Sequence, residues 1–259
     1  RRASEKIKHW IVRERRSDDA IDSPAPRIVN PQMWPWFKRA HDRRLNRWLL
    51  TKQLTSAIEE DDAPVTAITT IPIVADIMDR LPVDRWVYYC VDDFGQWPGL
   101  DQATMAKMEA EVIRRSDVCI AASEVLQRRL SEQRDDVKLL MHGVDIKHWS
   151  RAEPGNDSTA KADAEVSATF WGLIDRRLDT TFVSELAEHR DLTVQLVGPT
   201  DNPDASLFRQ PNVRREDAVS YQQLPHVAAS ADVLIMPYID APVTRAMQPL
   251  KLLEYLATD

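Results

Sequence analysis

The feature that most limits what this chain can fold into is an alternation, carried twice, between short β-branched runs and longer segments with apolar residues at helical spacing. Val65 to Thr70, Arg85 to Val91, Asp117 to Ala121 and Val137 to Met141 have strand length, and helix-start signals lie between them. Pro72 marks one start. Asp101 can cap a helix with the apolar stripe Met105, Met108 and Val112, and Ser123 can cap another reaching Leu130. Ahead of the first strand, Leu45, Trp48, Leu49, Leu54 and Ile58 also fall at helical spacing. Residues 150–165 then break the periodicity with Pro154, Gly155, Asn156, Ser158 and Thr159, and read as a linker. The alternation resumes with strands at Val166 to Phe170, Leu192 to Val197 and Asp232 to Met236, separated by helices expected over Asp179 to Glu188 and Tyr221 to Ala229. A last helix begins at Pro249, with Leu250, Leu253, Tyr255 and Leu256 apolar. Strand, helix, strand at this spacing predicts doubly wound parallel sheets. At 259 residues the chain exceeds one ordinary core, so two α/β domains are expected, 1–155 and 156–259.

Several functional classes drop out. No G-x-G-x-x-G and no G-x-x-x-x-G-K-[ST] occurs, which lowers dinucleotide enzymes and P-loop ATPases, and there is no nucleophile elbow. The six histidines never take the i, i+4 spacing of a helical zinc pair, so no metal site is expected. Cys90 and Cys119 are too few and too far apart for a disulfide framework and read as buried free thiols. No run approaches a membrane span and no apolar leader opens the sequence, so a cytoplasmic location is expected. Glycine is sparse, 6 of 259. The chain starts without Met and stops inside a helical pattern, as a partial chain would.

Charge is unevenly placed. The net −7 lies in the second half, whereas residues 1–52 hold 14 basic against 6 acidic groups, interleaved with Trp34, Trp36, Phe37 and Trp48. Such a basic, aromatic segment suits an anionic membrane surface, so residues 27–52 are a candidate for peripheral docking at its inner face. The alternative is a solvated helix face with Trp48 in the core. Nucleic acid is not expected, because the chain as a whole is acidic and carries no recognition motif.

Short blocks in a fixed order carry the remaining signal. They are Tyr88-Tyr89-Cys90-Val91-Asp92-Asp93-Phe94, Pro98-Gly99, Glu109-Ala110-Glu111, Arg115-Ser116-Asp117, His142-Gly143-Val144-Asp145, Trp171-Gly172-Leu173-Ile174, Val197-Gly198-Pro199, Pro211-Asn212-Val213, Tyr221 to Pro225, and Pro249-Leu250-Lys251-Leu252-Leu253-Glu254-Tyr255-Leu256-Ala257. Over roughly residues 60–259 this order resembles the GT-B glycosyltransferases, and among them the bacterial group that builds capsular and teichuronic-type polysaccharides.

The resemblance implies two Rossmann-like domains facing a cleft, the first mainly for the acceptor and the second mainly for a nucleotide sugar. It also implies transfer of a hexose-type sugar from a nucleotide diphosphate to a glycan or lipid-linked acceptor, without metal or other cofactor. The expected donor-side residues are Gly172, Arg176, Arg245, Pro249, Leu250, Lys251 and Glu254, with Glu254 matching the glutamate that accepts from the ribose hydroxyls. Substituting Glu254 is expected to weaken nucleotide binding and spare folding. Arg177 is either a second phosphate contact or a solvated surface arginine. His142 and Gly143 are expected at the cleft, with a turn histidine as the alternative. Asp92 and Asp93, at the end of a buried strand, are the acid/base candidates, although one of the two can simply cap the following turn. The given sequence stops at Asp259, before the Gly-x-Pro-Val-Val strand that normally follows; within it, glycine is sparse and the pattern departs from the family at Ala246, where many members carry a further glutamate. A degenerate GT-B protein that binds a nucleotide sugar or a partner without turnover is therefore the alternative function.

Overall fold

The helix-start residues named above act as caps in the computed structural model, which describes residues 27–58, 63–150 and 166–258. Asp101 accepts from the Thr104 N–H, Ser123 from Leu126, and Asp179 from Thr181 and Phe182, each supplying a partner to an otherwise orphaned donor of the first turn. Contacts divide the chain after Leu140 into two units.

The first unit contains helix α1 (Ala40–Ile58), strands β1 (Thr66–Thr69), β2 (Arg85–Cys90), β3 (Val118–Ala121) and β4 (Lys138–Leu139), and helices α2 (Gln102–Arg115) and α3 (Glu124–Ser131). The strands are parallel and lie in chain order, β1-β2-β3-β4. Tyr88, Cys90, Cys119 and Ala121 of the sheet are buried, as are Met105, Met108, Val112 and Ile113 of α2 and Leu126 and Leu130 of α3. The α2 stripe read from spacing is therefore the stripe that is buried.

Helix α1 behaves differently from its pattern. Trp48 is 61% exposed and Leu45 40%, whereas the buried positions are Asp42, Asn46 and Leu50. The alternative that put Trp48 in the core is thereby corrected. The reason lies in the segment before the helix, whose backbone polar groups need partners. Asn46 Oδ1 accepts from the Trp34 N–H at 2.6 Å, Asn46 Nδ2 donates to the carbonyls of Trp34 and Trp36, and Asp42 Oδ1 accepts from the Trp34 indole at 3.1 Å. Gln53 exchanges two hydrogen bonds with the Gln32 backbone. One helix face thus straps an extended segment by hydrogen bonds rather than by apolar contact.

The second unit contains helix α4 (Ile146–Trp149), strands β5 (Val166–Trp171), β6 (Ile174–Asp175), β7 (Leu192–Val197), β8 (Thr200–Asp201), β9 (Val213–Glu216) and β10 (Val233–Leu234), and helices α5 (Thr180–Leu186), α6 (Leu224–Ser230), α7 (Pro242–Ala246) and α8 (Leu250–Leu256). Its main sheet is parallel with order β10-β5-β7-β9, and β6 pairs with β8. The chain leaves β5 in one direction to β7 and β9, then returns to β10 on the other side, so the winding reverses at β5. A ligand in such a sheet sits outside the strand carboxyl ends at that reversal. The core is Ala168, Phe170, Ile174, Leu178, Val183, Val194, Leu196, Leu207 and Ile235.

One boundary and one strand differ from expectation. Residues 141–150 belong to the second unit, so the division falls after Leu140 and not at 155. Trp149 explains it, being fully buried and stacked on Trp171 of β5 with ring centroids 5.4 Å apart. Of the linker expected over 150–165, residues 151–165 lie outside the described residues. Strand β9 was not anticipated, since Val213 is its one buried residue and Arg214, Arg215 and Glu216 are exposed.

Candidate functional site

The carboxyl ends of β5 and β7 meet at two glycines. Gly172 has φ +136° and Gly198 φ +144°, both in the range that favours glycine. The Gly172 N–H donates to Val197 O at 2.9 Å, and a Cβ at 198 would stand 2.1 Å from the Gly172 carbonyl oxygen. The two turns can cross because residue 198 carries no side chain.

Lys251 uses the same space. A Cβ at 172 would lie 2.2 Å from Lys251 Cε and 2.7 Å from Nζ. The ammonium also stands 5.7 Å from the ring centre of Phe170 and 5.9 Å from that of Tyr238. Aromatic faces attract a cation weakly, and here they hold it at the end of β5 without cancelling its charge. The expected residues Gly172 and Lys251 are thus brought together.

Glu254 joins them from α8. It is the buried residue of that helix, whereas Leu250, Leu252 and Leu256 are exposed, an inversion of ordinary patterning. A buried carboxylate is costly unless hydrogen-bonded. Trp171 Nε1 donates to Glu254 Oε2 at 3.0 Å. No cation among the described residues pairs with Glu254, and no donor among them bonds its Oε1. A substitution at Glu254 would therefore also leave the buried Trp171 indole without this acceptor, a contact that the expectation of a spared fold did not include. Sequence reasoning missed Trp171 as the partner; an indole beside the glycine turn was the available signal.

The remaining donor-side candidates lie nearby in chain but differ in state. Arg176 is exposed and donates to Asn202 O at 3.4 Å. Arg177 is buried, with its guanidinium on Asp175 at 2.8 Å, so the solvated-surface alternative is corrected. Arg245 is exposed and paired with Asp240, which raises its pKa. Pro249 and Leu250 begin α8, and Ala246 is buried at the end of α7. The His142 N–H donates to Gln248 Oε1, and partial burial pulls its imidazole below the usual range. That bond ties the His142-Gly143 turn to the segment leading into α8, so both residues sit in the second unit.

Asp92 and Asp93 lie in the first unit, and they are not equivalent. Asp93 is buried, with Oδ2 3.6 Å from Arg129 Nε. Arg129 is held mainly by Glu109, at 2.6 Å to Oε2 and 2.9 Å to Oε1, and Glu109 Oε1 also accepts from Tyr88 Oη at 2.6 Å. Cys90 Sγ lies 3.4 Å from Arg129 Nη2. Burial pushes the Cys90 thiol up to about 12 and raises Tyr88 well above its ordinary range. The Arg129 guanidinium, desolvated but bonded to Glu109, stays firmly charged. Asp93 is thus part of a buried ionic network that spacing did not reveal, and Asp92 is partly exposed at the end of β2. Among the described residues no group of three His, Cys, Asp or Glu side chains could hold a metal ion.

The chain is 31% identical over 159 residues to a Bacillus subtilis (strain 168) protein provisionally assigned as the teichuronic acid biosynthesis glycosyltransferase TuaH. That match covers 58% of this chain and 40% of the relative, so the chain spans about two fifths of its length. In fold it is similar to sucrose-phosphate synthase of Thermosynechococcus elongatus, with TM-score 0.62, 16% identity, and coverage of 85% of this chain and 61% of that one. It is also similar to Anabaena Alr3699/HepE, crystallised in complex with UDP-glucose, with TM-score 0.61, 16% identity, and coverage of 81% and 61%. No family model matches the chain. The fold is that of the GT-B glycosyltransferases, as the ordered blocks implied.

Proposed function

We propose that this chain is part of a glycosyltransferase of surface polysaccharide synthesis, which moves a sugar from a nucleotide diphosphate to a glycan or lipid-linked acceptor. The observation that carries the reading is the buried carboxylate of Glu254, held by Trp171 and without a cation partner among the described residues, with the Lys251 ammonium at the adjacent glycine turn. A carboxylate with one oxygen free of protein donors suits the hydroxyl pair of a ribose, and an ammonium on an aromatic platform suits a diphosphate. Resemblance to TuaH favours a cell-surface glycan as product, and the UDP-glucose complex of HepE makes UDP the first donor base to test.

In this reading Lys251, with exposed Arg176 and Arg245 as further candidates, neutralises the diphosphate without a metal or other cofactor. Gly172 gives Lys251 its room. Asp92 is the better acid/base candidate of its pair, because it is partly exposed whereas Asp93 is buried beside Arg129. The reaction takes place in the cytoplasm, with residues 27–52 docking on the anionic inner face of the membrane; no helix among the described residues is long and apolar enough to cross it.

Thermal-shift and calorimetric titrations with UDP, GDP and ADP test the donor site, and transfer of radiolabelled sugar to lipid-linked acceptor tests turnover. Binding of at least one diphosphate without added metal is expected. Failure of all three to bind would sink the proposal, and binding without transfer or slow donor hydrolysis would leave the non-catalytic binding module.

A further inference from the structure

We infer that Trp171 is a positioning residue of the donor site, holding Glu254 by Oε2 so that Oε1 is turned to the ribose hydroxyls of a nucleoside diphosphate. The inference rests on the donor-site reading above and adds to it the residue that aims the carboxylate. Trp171 Nε1 and Glu254 Oε2 are 3.0 Å apart, and the two residues are 3% and 7% exposed. An arginine in place of the indole would engage both carboxylate oxygens and neutralise them. A single neutral N–H takes one oxygen and leaves the charge for the ligand.

The indole cannot swing away. Trp149, fully buried, stacks on one face with planes 11° apart, and Tyr255 meets the ring edge-to-face at 4.5 Å. Tyr255 is itself anchored through its hydroxyl to the Ile235 carbonyl at 3.0 Å. Trp171 is also the residue before Gly172, so one strand end sets both polar elements of the site. The indole places the carboxylate, and the missing side chain at 172 places the Lys251 ammonium. The separation between ribose and phosphate contacts is thereby fixed by the backbone of β5.

The test compares UDP, GDP and ADP with their 2′,3′-dideoxy analogues by calorimetry on the full chain. Trp171 is replaced by Phe, which keeps a ring for the stack, and by β-(3-benzothienyl)alanine through site-specific incorporation, which keeps the shape and puts sulfur where the N–H was. The wild-type chain is expected to prefer the ribonucleotide by about ten-fold or more. Both variants should reduce that preference to within about three-fold, while Lys251→Ala weakens ribo and dideoxy forms alike and keeps the preference. A preference unchanged in both variants overturns the inference and leaves the donor site standing. Loss of the folded state in both, seen by thermal melting, also overturns it, since the bond would then serve stability alone. Absence of any nucleotide binding by the wild-type chain sinks the donor-site reading itself.

Discussion

Lys251 extends its ammonium into the volume that a side chain on Gly172 would fill, 2.7 Å from where the Cβ would stand. Gly172→Ala should therefore act twice. The φ of +136° is strained for any L side chain, which costs about 1–3 kcal/mol of stability, measurable by urea unfolding. The displaced lysine should also lower diphosphate affinity by as much as Lys251→Ala does. Full affinity in a folded Gly172→Ala variant would remove Lys251 from the phosphate site.

Glu254→Ala is expected to weaken nucleotide binding and to lower stability together, each by about 1–3 kcal/mol. The stability loss arises because the Trp171 indole N–H, buried behind Trp149 and Tyr255, is left without an acceptor. Calorimetry and chemical unfolding on the same preparation read the two effects. A variant as stable as wild type would mean that the indole finds another partner.

Alkaline pH should destabilise the first unit. An unfolded thiol ionises near its ordinary value of 9, whereas burial makes folded Cys90 hold its proton to about 12. The unfolded state therefore releases its proton first, so this stability is fully present below pH 9 and drains away as pH rises toward 12. Tyr88, raised above 10 chiefly by burial, adds a loss of the same sign starting one unit higher. Urea midpoints measured from pH 8 to 11 should fall, and Cys90→Ala should flatten the fall without abolishing it. A slope that Cys90→Ala leaves untouched would contradict the assignment.

Arg129→Met should cost about 3–5 kcal/mol, because it strands the carboxylate of Glu109 in the core with only the Tyr88 hydroxyl and the Cys90 thiol as hydrogen-bond donors, neither of them charged. Adding Glu109→Gln should recover much of the loss by removing the stranded charge. Unfolding curves of the single and double variants give the comparison. No recovery in the double variant would mean that Arg129 stabilises mainly through Asp93.

Membrane docking through residues 27–52 should depend on Arg44, Trp48 and Lys52, which are exposed on α1 with the Lys52 ammonium 5.9 Å from the Trp48 ring. Arg43 is different, being paired with Asp76 at 2.6 and 2.8 Å. Arg44→Gln with Trp48→Ala and Lys52→Gln should abolish co-sedimentation with phosphatidylserine vesicles, and raised salt should weaken the wild-type interaction, since the Debye length is only about 8 Å at physiological ionic strength. Binding that survives both would show the charge to be a solvated helix face.

Much of the scaffold was legible in the sequence because its signals are local. Strand β7 coincides with the apolar run Leu192 to Val197, and Asp101, Ser123 and Asp179 cap the helices they precede. Strand β9 escaped notice because three of its four residues are exposed and charged, so its apolar signal is a single valine. On α1 the spacing misled, since the face it buries is polar and bonded to a strap.

The sequence by itself determined two parallel-sheet units and the strand ends at which a ligand site would form, and its resemblance to a family singled out Gly172, Lys251 and Glu254 as candidates for that site. Only the tertiary structure decided their condition. Whether a carboxylate meets an indole as Glu254 does, or is held by an arginine as Glu109 is, depends on side chains far away in the chain. Trp171 and Glu254 are 83 positions apart, and no local pattern encodes a bond of that reach; packing between β5 and α8 makes it.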